Sequence, residues 1–515
     1  MKNIKINISV LFIAGSVLLS TSCAKLDEKL YGSKVVDNST GGAASDLLGV
    51  YSQLNGLATQ SNTYALQEHS TDEMMGPTRG TDWGDFGTWR KLHTHTWDAS
   101  YQQISDTWDF LNTGVYRATQ VIKTTTSNQT KAEASFLRAY FMFQIVDLFG
   151  QAPMRDPASS PDANPTVLSR SAATDFIIAD LVFADTNLGA AATVGVASKA
   201  AAEALLAKVY LNKAVYKATS VGGPFTFDPA DMTKVITYCN TVIASNTYQL
   251  TAPGKYFDNF AWNNTTVSKE IIFGLLNSSS NAPANTHFMW RMGMHYNQSP
   301  SSWNGFTTLA DFYNSFDSRD ERRGGSYAGM TNLNGLNTGF LIGQQYGPGH
   351  VALTTRGGAP LVFTPNVDLN YSTEAQGIRV IKYLPQPAAD GSVNDDNATN
   401  TFILLRYSDV LLMKAEAILR GGTDPNAQTA LNIVNTIRAQ RSLAALTTID
   451  LPTMLAERGH ELYYEGWRRN DQIRFGTFNN PVDQRPAKSD PSRTVYAIPQ
   501  RAIDTNPNLT QNAGY

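Results

Sequence analysis

The stretch "AEASFLRAYFMFQIVDLFG", residues 132–150, decides the fold class. Apolar side chains occupy nearly every helical position, so a helix here is buried on most sides and requires a larger helical assembly around it. Gly150, with Pro153 just beyond, marks its stop. The same habit recurs in both directions. Upstream, "AASDLLGVYSQL" (43–54) sets Leu47, Tyr51 and Leu54 on one face. Downstream, "TDFIIADLVFADTNL" (174–188), "SKAAAEALLAKVYLNKAVYK" (198–217) and "DMTKVITYCNTVIAS" (231–245) predict helices, with Thr174 and Ser198 as expected N-caps. "YSDVLLMKAEAILRGG" (407–422), "NAQTALNIVNTIRAQR" (426–441) and "LPTMLAERGHELYYEGWRR" (451–469) repeat the pattern. Helix pairs joined by short turns suggest a tetratricopeptide-like solenoid scaffold.

Between residues 251 and 400 the texture changes, as Gly, Asn, Ser and Pro interrupt the apolar runs. "KEIIFGLL" (269–276), "GIRVIKYL" (377–384) and "TFILLRY" (401–407) read as short strands. The expected fold is therefore mainly α: a helix-pair scaffold over 42–250 and 401–515, carrying an irregular, loop-rich α+β subdomain over 251–400. A ligand loop is expected within 57–107.

Composition narrows the function classes. The 515 residues are 42% hydrophobic and 17% charged, a globular balance. Near the N-terminus, Lys2 and Lys5 precede an apolar run from Val10 to Leu19, too short to span a bilayer and laid out as an export signal. Ser20, Thr21 and Ser22 then lead to Cys23, a pattern that resembles a bacterial lipoprotein signal, although Ser20 stands where an aliphatic residue is usual. Residues 1–22 are expected to be removed, Cys23 to carry acyl (palmitate-type) chains, and 23–41 to act as a tether. An ordinary secreted protein with a stray cysteine is the competing reading. The only other cysteine is Cys239, so no disulfide framework is expected. Loss of Lys2 and Lys5 leaves 39 basic residues against 44 acidic ones, a mildly acidic chain unsuited to nucleic acid.

Catalytic and metal motifs are near misses. "HELYY" (460–464) has Tyr464 where a zinc-protease helix needs its second histidine. "SYAG" (326–329) fails the nucleophile-elbow spacing at Ala328, and there is no P-loop. "DGSVNDDNATN" (390–400) lacks EF-hand order. His93 and His95 read as parts of a polar loop rather than as a metal pair. Arg458, Glu461, Glu465, Arg468 and Arg469 fall at helical spacings of three and four, which points to architecture. No catalytic residue, cofactor or metal is expected.

Binding chemistry concentrates in aromatics. Four of the eight tryptophans lie in "DWGDFGTWRKLHTHTWDASYQQISDTW" (82–108), interleaved with Gly, Asp and Thr. Core tryptophans normally keep apolar neighbours in sequence. A second cluster, "HFMWRMGMHYNQSPSSWNGF" (287–306), lies in the irregular region. Rings with adjacent polar groups suit sugars, which have apolar C–H faces and hydroxyl edges. Trp83, Trp89, Trp97, Tyr101, Trp290, Tyr296 and Trp303 are the candidate ligand residues, whereas Trp108 begins a periodic helix and reads as packing.

Several stretches together resemble one family. "AEASFLRAYFMFQIVDLFGQAPM", "SKAAAEALLAKVYL", "LLRYSDVLLMKAEAILRGG", "LAERGHELYYEGWRRNDQIRFG" and the terminal "VYAIPQRAIDTNPNLTQNAGY" are similar, in order, to the SusD/RagB outer-membrane nutrient-binding lipoproteins. Thr119 in "YRATQVI" departs from the family's asparagine. The resemblance implies a tetratricopeptide-like scaffold, an oligosaccharide or other nutrient ligand held against loops 83–101 and 287–306, and attachment to the outside of the outer membrane. It also implies a SusC-like TonB-dependent transporter as partner, and a protein that is not an enzyme. A glycoside hydrolase and a purely structural solenoid are the alternatives. The hydrolase would need two carboxylates at a set separation, of which the sequence offers no sign.

Overall fold

Residues 132–149 lie in the helix Asn128–Phe149, in which every residue from Ala134 to Phe149 is buried. Ser127 caps its start by accepting the Thr130 N–H at 3.2 Å. Gly150, left-handed at φ 75°, ends it by donating to the Ile145 carbonyl. In the neighbouring helix Gln102–Thr124, a Cβ on Gly114 would stand 2.6 Å from the Phe141 ring. Glycine there sets how closely the two helices approach.

The computed structural model describes residues 42–515 apart from 161, 191–192, 278–284 and 388–397. The export signal, Cys23, the tether and most of the 390–400 loop lie outside the described residues. The fold is mainly helical. Gln102–Thr124, Asn128–Phe149, Arg170–Asn187, Lys199–Tyr216 and Pro229–Ala244 pack each against the next. Tyr407–Leu419 then packs on Pro229–Ala244 and carries Ala430–Gln440 and Leu451–Leu462. The scaffold is thus continuous across the inserted region, and the texture changes near 250 and 400 fall inside one unit, Ala43–Tyr515.

All three expected strands form. Ile271–Leu275 pairs antiparallel with Phe402–Arg406, and both are buried throughout. Arg379–Ile381 pairs with Thr338–Leu341, which also pairs with Gly324–Gly325. The first pair seals the insertion onto the scaffold where the chain leaves and returns.

Three local expectations are corrected. Ser198 caps Lys199–Tyr216 as expected, but Ser169, not Thr174, caps Arg170–Asn187. Thr174 lies inside that helix and donates to the Arg170 carbonyl at 2.8 Å. The helix expected over 451–469 divides into Leu451–Leu462 and Arg468–Arg474, around a turn with Tyr464 and Gly466 at positive φ. His93 and His95 are buried rather than in a polar loop. His93 Nε2 lies 2.8 Å from the Asp483 carbonyl and His95 Nε2 2.8 Å from that of Ser70.

The five Arg and Glu residues of the C-terminal stretch are architecture. Glu461, fully buried, meets Arg322 at 3.2 Å and Arg406 and Arg441 at 2.8 Å each. Burial alone would raise its carboxyl, but these guanidiniums hold it well below the ordinary carboxylate range. Glu465 takes Arg406 and Lys382 at 2.7 Å each, Arg458 takes Asp471 at 2.8 Å, and Arg468 and Arg469 tie Asp72 and Asp147 at 2.7 and 2.8 Å.

Candidate functional site

Three segments far apart in sequence meet on one face: the loop 78–87, the segment 287–305 and the loop 354–376. Two buried arginines clamp them. Arg79 donates to the carbonyls of Gly305, Thr373 and Gln376 at 3.0, 2.7 and 2.7 Å. Arg379 donates to the Asn304 side chain and to the Glu374 carbonyl, both at 2.8 Å. Backbone bonds between Thr78 and both Leu369 and Ser372 complete the junction.

On this frame sits a half-buried aromatic cluster. Trp83 donates its Nε1–H to the Trp303 carbonyl at 2.9 Å, and the two ring centroids lie 6.4 Å apart. Trp303 also neighbours Phe288 at 5.6 Å. A Cβ on Gly305 would stand 2.5 Å from the Trp83 ring, so glycine lets the indole lie against the backbone. Phe86 is fully exposed beside it. Trp83, Asp85 and Phe86 all have positive φ, a conformation costing on the order of 1–3 kcal/mol per non-glycine residue.

Beside the rings runs a hydrogen-bonded polar group. Tyr296 donates its hydroxyl to Asp82 Oδ2 at 2.7 Å, and burial together with that bond pushes the hydroxyl up to about 12. Arg356 lies over the Tyr296 ring at 4.3 Å and bridges Asp82 at 3.1 Å and Glu374 at 2.5 Å. His295 Nε2 lies 3.1 Å from Glu374. Partial burial works to raise the Glu374 carboxyl, but Arg356 and His295 hold it below its ordinary value.

Of the seven candidate aromatics, this surface gathers Trp83, Tyr296 and Trp303. Burial removes the other four from the expected stacking set, because a ring without an open face cannot stack. Trp97 is 1% exposed, against Tyr496 at 4.6 Å, and Trp290 is 0% exposed. Trp89 donates to Asp85 at 2.6 Å and packs on Phe306, and Tyr101 is buried with its hydroxyl on the Thr88 carbonyl at 2.8 Å. Trp108 is packing, edge-on to Phe149 at 5.1 Å. Sequence reasoning missed Phe86, Asp82, Arg356 and Glu374. Glycines on both sides of "DF" in "GDFG" were a signal for Phe86 as a loop tip, whereas nothing local announced that 354–376 joins the site. Among the described residues no group of three potential metal-ligating side chains occurs.

Comparison with known proteins aligns with this architecture. A family model described as the SusD family matches residues 269–515, and one described as "Starch-binding associating with outer membrane" matches residues 25–211. The starch-binding protein SusD of Bacteroides thetaiotaomicron is 25% identical over 421 residues, which cover 75% of this chain and 72% of that one. A solved SusD-like protein of Bacteroides fragilis superposes with a TM-score of 0.68 at 22% identity, covering 92% of this chain and 96% of that one. Surface glycan-binding protein A of Bacteroides fluxus superposes with a TM-score of 0.66 at 19% identity, covering 93% of this chain and 100% of that one. At these identities the two superpositions speak for the fold.

Proposed function

The chain belongs to the SusD/RagB family, and from that premise we propose that it binds an oligosaccharide at the cell surface without altering it. The observation that carries this is the half-exposed cluster of Trp83, Trp303 and Tyr296, with Phe86 standing free beside it and Asp82, Arg356 and Glu374 alongside. Rings match the apolar faces of a sugar, and the adjacent charged groups match its hydroxyls.

Asp82 and Glu374 are the carboxylates a glycosidase reading would use. A general acid needs a raised pKa, yet Glu374 is held low by Arg356, which bridges both acids. The arrangement supports binding rather than turnover. The proposed role continues outward to an acylated Cys23 holding the protein on the exterior face of the outer membrane and a TonB-dependent transporter receiving the ligand. Calorimetry on a glycan panel, with products followed by chromatography, tests the reading. Binding without hydrolysis is expected; turnover on the order of 1 per second or faster would overturn it.

A further inference from the structure

A second concavity runs along the outer face of Gln102–Thr124, sharing no residue with the aromatic cluster. Its two lobes, of about 490 and 460 Å³, share Asn112, Pro153, Arg155 and Pro165 and so form one groove. Each lobe is within the range that holds a small ligand. The hairpin of Ala152–Met154 and Thr166–Leu168 builds the opposite wall, and the C-terminal segment 502–509 closes one end.

The lining mixes apolar side chains and amides with the charged side chains of Asp109, Arg117, Arg155 and Asp162. Tyr116, half-buried, lines one lobe and Trp108 the other, with the two prolines facing them. Asn112 lies between the lobes. Its Nδ2 donates to the Trp108 carbonyl at 2.8 Å, which fixes the amide, while its buried Oδ1 has no partner. An orphaned buried acceptor is costly unless something donates to it. Asn506 and Asn508 donate to the Pro165 carbonyl at 3.2 and 3.0 Å and so hold the far wall. Of the charged lining residues Asp109, Arg117, Arg155 and Asp162, Asp109 pairs with Arg501, Arg117 donates to Gln53 Oε1 at 2.8 Å and Arg155 to the Ala163 carbonyl at 2.8 Å.

We propose that this groove is a second binding site, for a neutral oligosaccharide segment. A narrow concavity with the half-buried Tyr116 ring, proline edges and an unsatisfied amide acceptor in its wall matches a hydroxyl-bearing ring. Two acidic and two basic lining residues balance, which gives no net pull toward an anionic ligand. The flat, extended surface that a protein interface requires is not what these two lobes present.

The inference rests on the oligosaccharide reading above, and one titration series separates the two. For a neutral oligosaccharide that binds wild type, calorimetry should report two sites. Trp303→Ala should leave one, and Tyr116→Ala or Asn112→Ala should weaken that remaining one about tenfold. The ligand should also slow hydrogen exchange at 108–120 and 152–168 in the unaltered protein, which guards against a variant that fails to fold. One site in wild type, with Trp303→Ala abolishing all binding and no protection at 108–120, overturns the second site and leaves the first standing. Loss in the Tyr116 variant alone overturns the first instead. Glycan binding unchanged in all three variants overturns both.

Discussion

A tryptophan serves a ligand only through an open face, so local sequence texture is a poor guide to which rings bind. Trp83 and Trp97 share the same Gly- and Thr-rich stretch, yet one is half-buried on the surface and the other lies against Tyr496 in the core. Phe86→Ala, at a fully exposed position, should weaken glycan binding about tenfold while leaving Tm unchanged, whereas Trp97→Ala should cost roughly 3–5 kcal/mol of stability. Calorimetry and thermal melts on both variants check this, and the reverse pattern would sink it. Beneath the platform, Glu68 and Glu73 face each other in the core, with Lys382, Glu465, Arg468 and Asp72 around them. Burial lifts Glu68 from an ordinary 4.5 to about 7, and burial with repulsion from Glu68 raises Glu73 well above its usual range. The folded chain therefore holds protons that the unfolded chain has lost, so stability is full below about pH 4.5 and falls as pH rises through about 7. Glu68→Gln keeps the shape and can still donate to Glu73, the carboxyl that Glu68 faces. It should raise Tm at pH 8 by about 1–3 °C and leave it unchanged at pH 4. An equal shift at both pH values would count against the pair as the cause.

At the scale of elements, the C-terminal signature shows how a repeated spacing can serve two helices. Arg458 and Glu461 belong to Leu451–Leu462, Arg468 and Arg469 to Arg468–Arg474, and Glu465 to the turn between. Tyr464 and Gly466 turn the chain there at positive φ, so Arg458, Arg468 and Arg469 reach separate partners while Glu461 and Glu465 converge on Arg406. Strands Ile271–Leu275 and Phe402–Arg406 feed Glu270 and Arg406 into the same buried network, at 3.0 Å from each other. Removing Glu461 leaves Arg322, Arg406 and Arg441 short of a counter-charge in the core, so Glu461→Ala should cost about 3–5 kcal/mol. Trp467→Ala belongs with it, because that ring is buried under the Lys208 ammonium at 3.7 Å. Chemical denaturation measures both losses. Glycan affinity of the folded fraction should stay at the wild-type value, and a selective loss of affinity would place this stretch in the site.

For the whole molecule, the helical scaffold folds back so that Tyr407–Leu419 meets Pro229–Ala244, and the insertion between them is held by a buried strand pair. Residues 43–515 carry their own core, so Cys23→Ser should release folded protein from membranes of cells lacking the transporter. Cell fractionation decides this, and variant protein that stays with the membrane would refute the lipid anchor. The sequence by itself determined the helices, because burial on most sides leaves a stretch as apolar as 134–149, broken only by Ser135, Arg138, Gln144 and Asp147, and the strands, because short apolar runs between Gly- and Asn-rich turns have few other ways to satisfy their backbone. It also marked the two aromatic segments that meet. Only the tertiary structure decided which rings stay open and that the loop 354–376 joins them. Helix and strand periodicities are written in neighbouring residues, but the platform depends on Arg79 gathering the carbonyls of Gly305 and Gln376, 226 and 297 residues away, and on Arg379 reaching the Asn304 side chain across 75 residues. No local pattern records a contact of that range, since its stabilisation is realised only once the loops have closed.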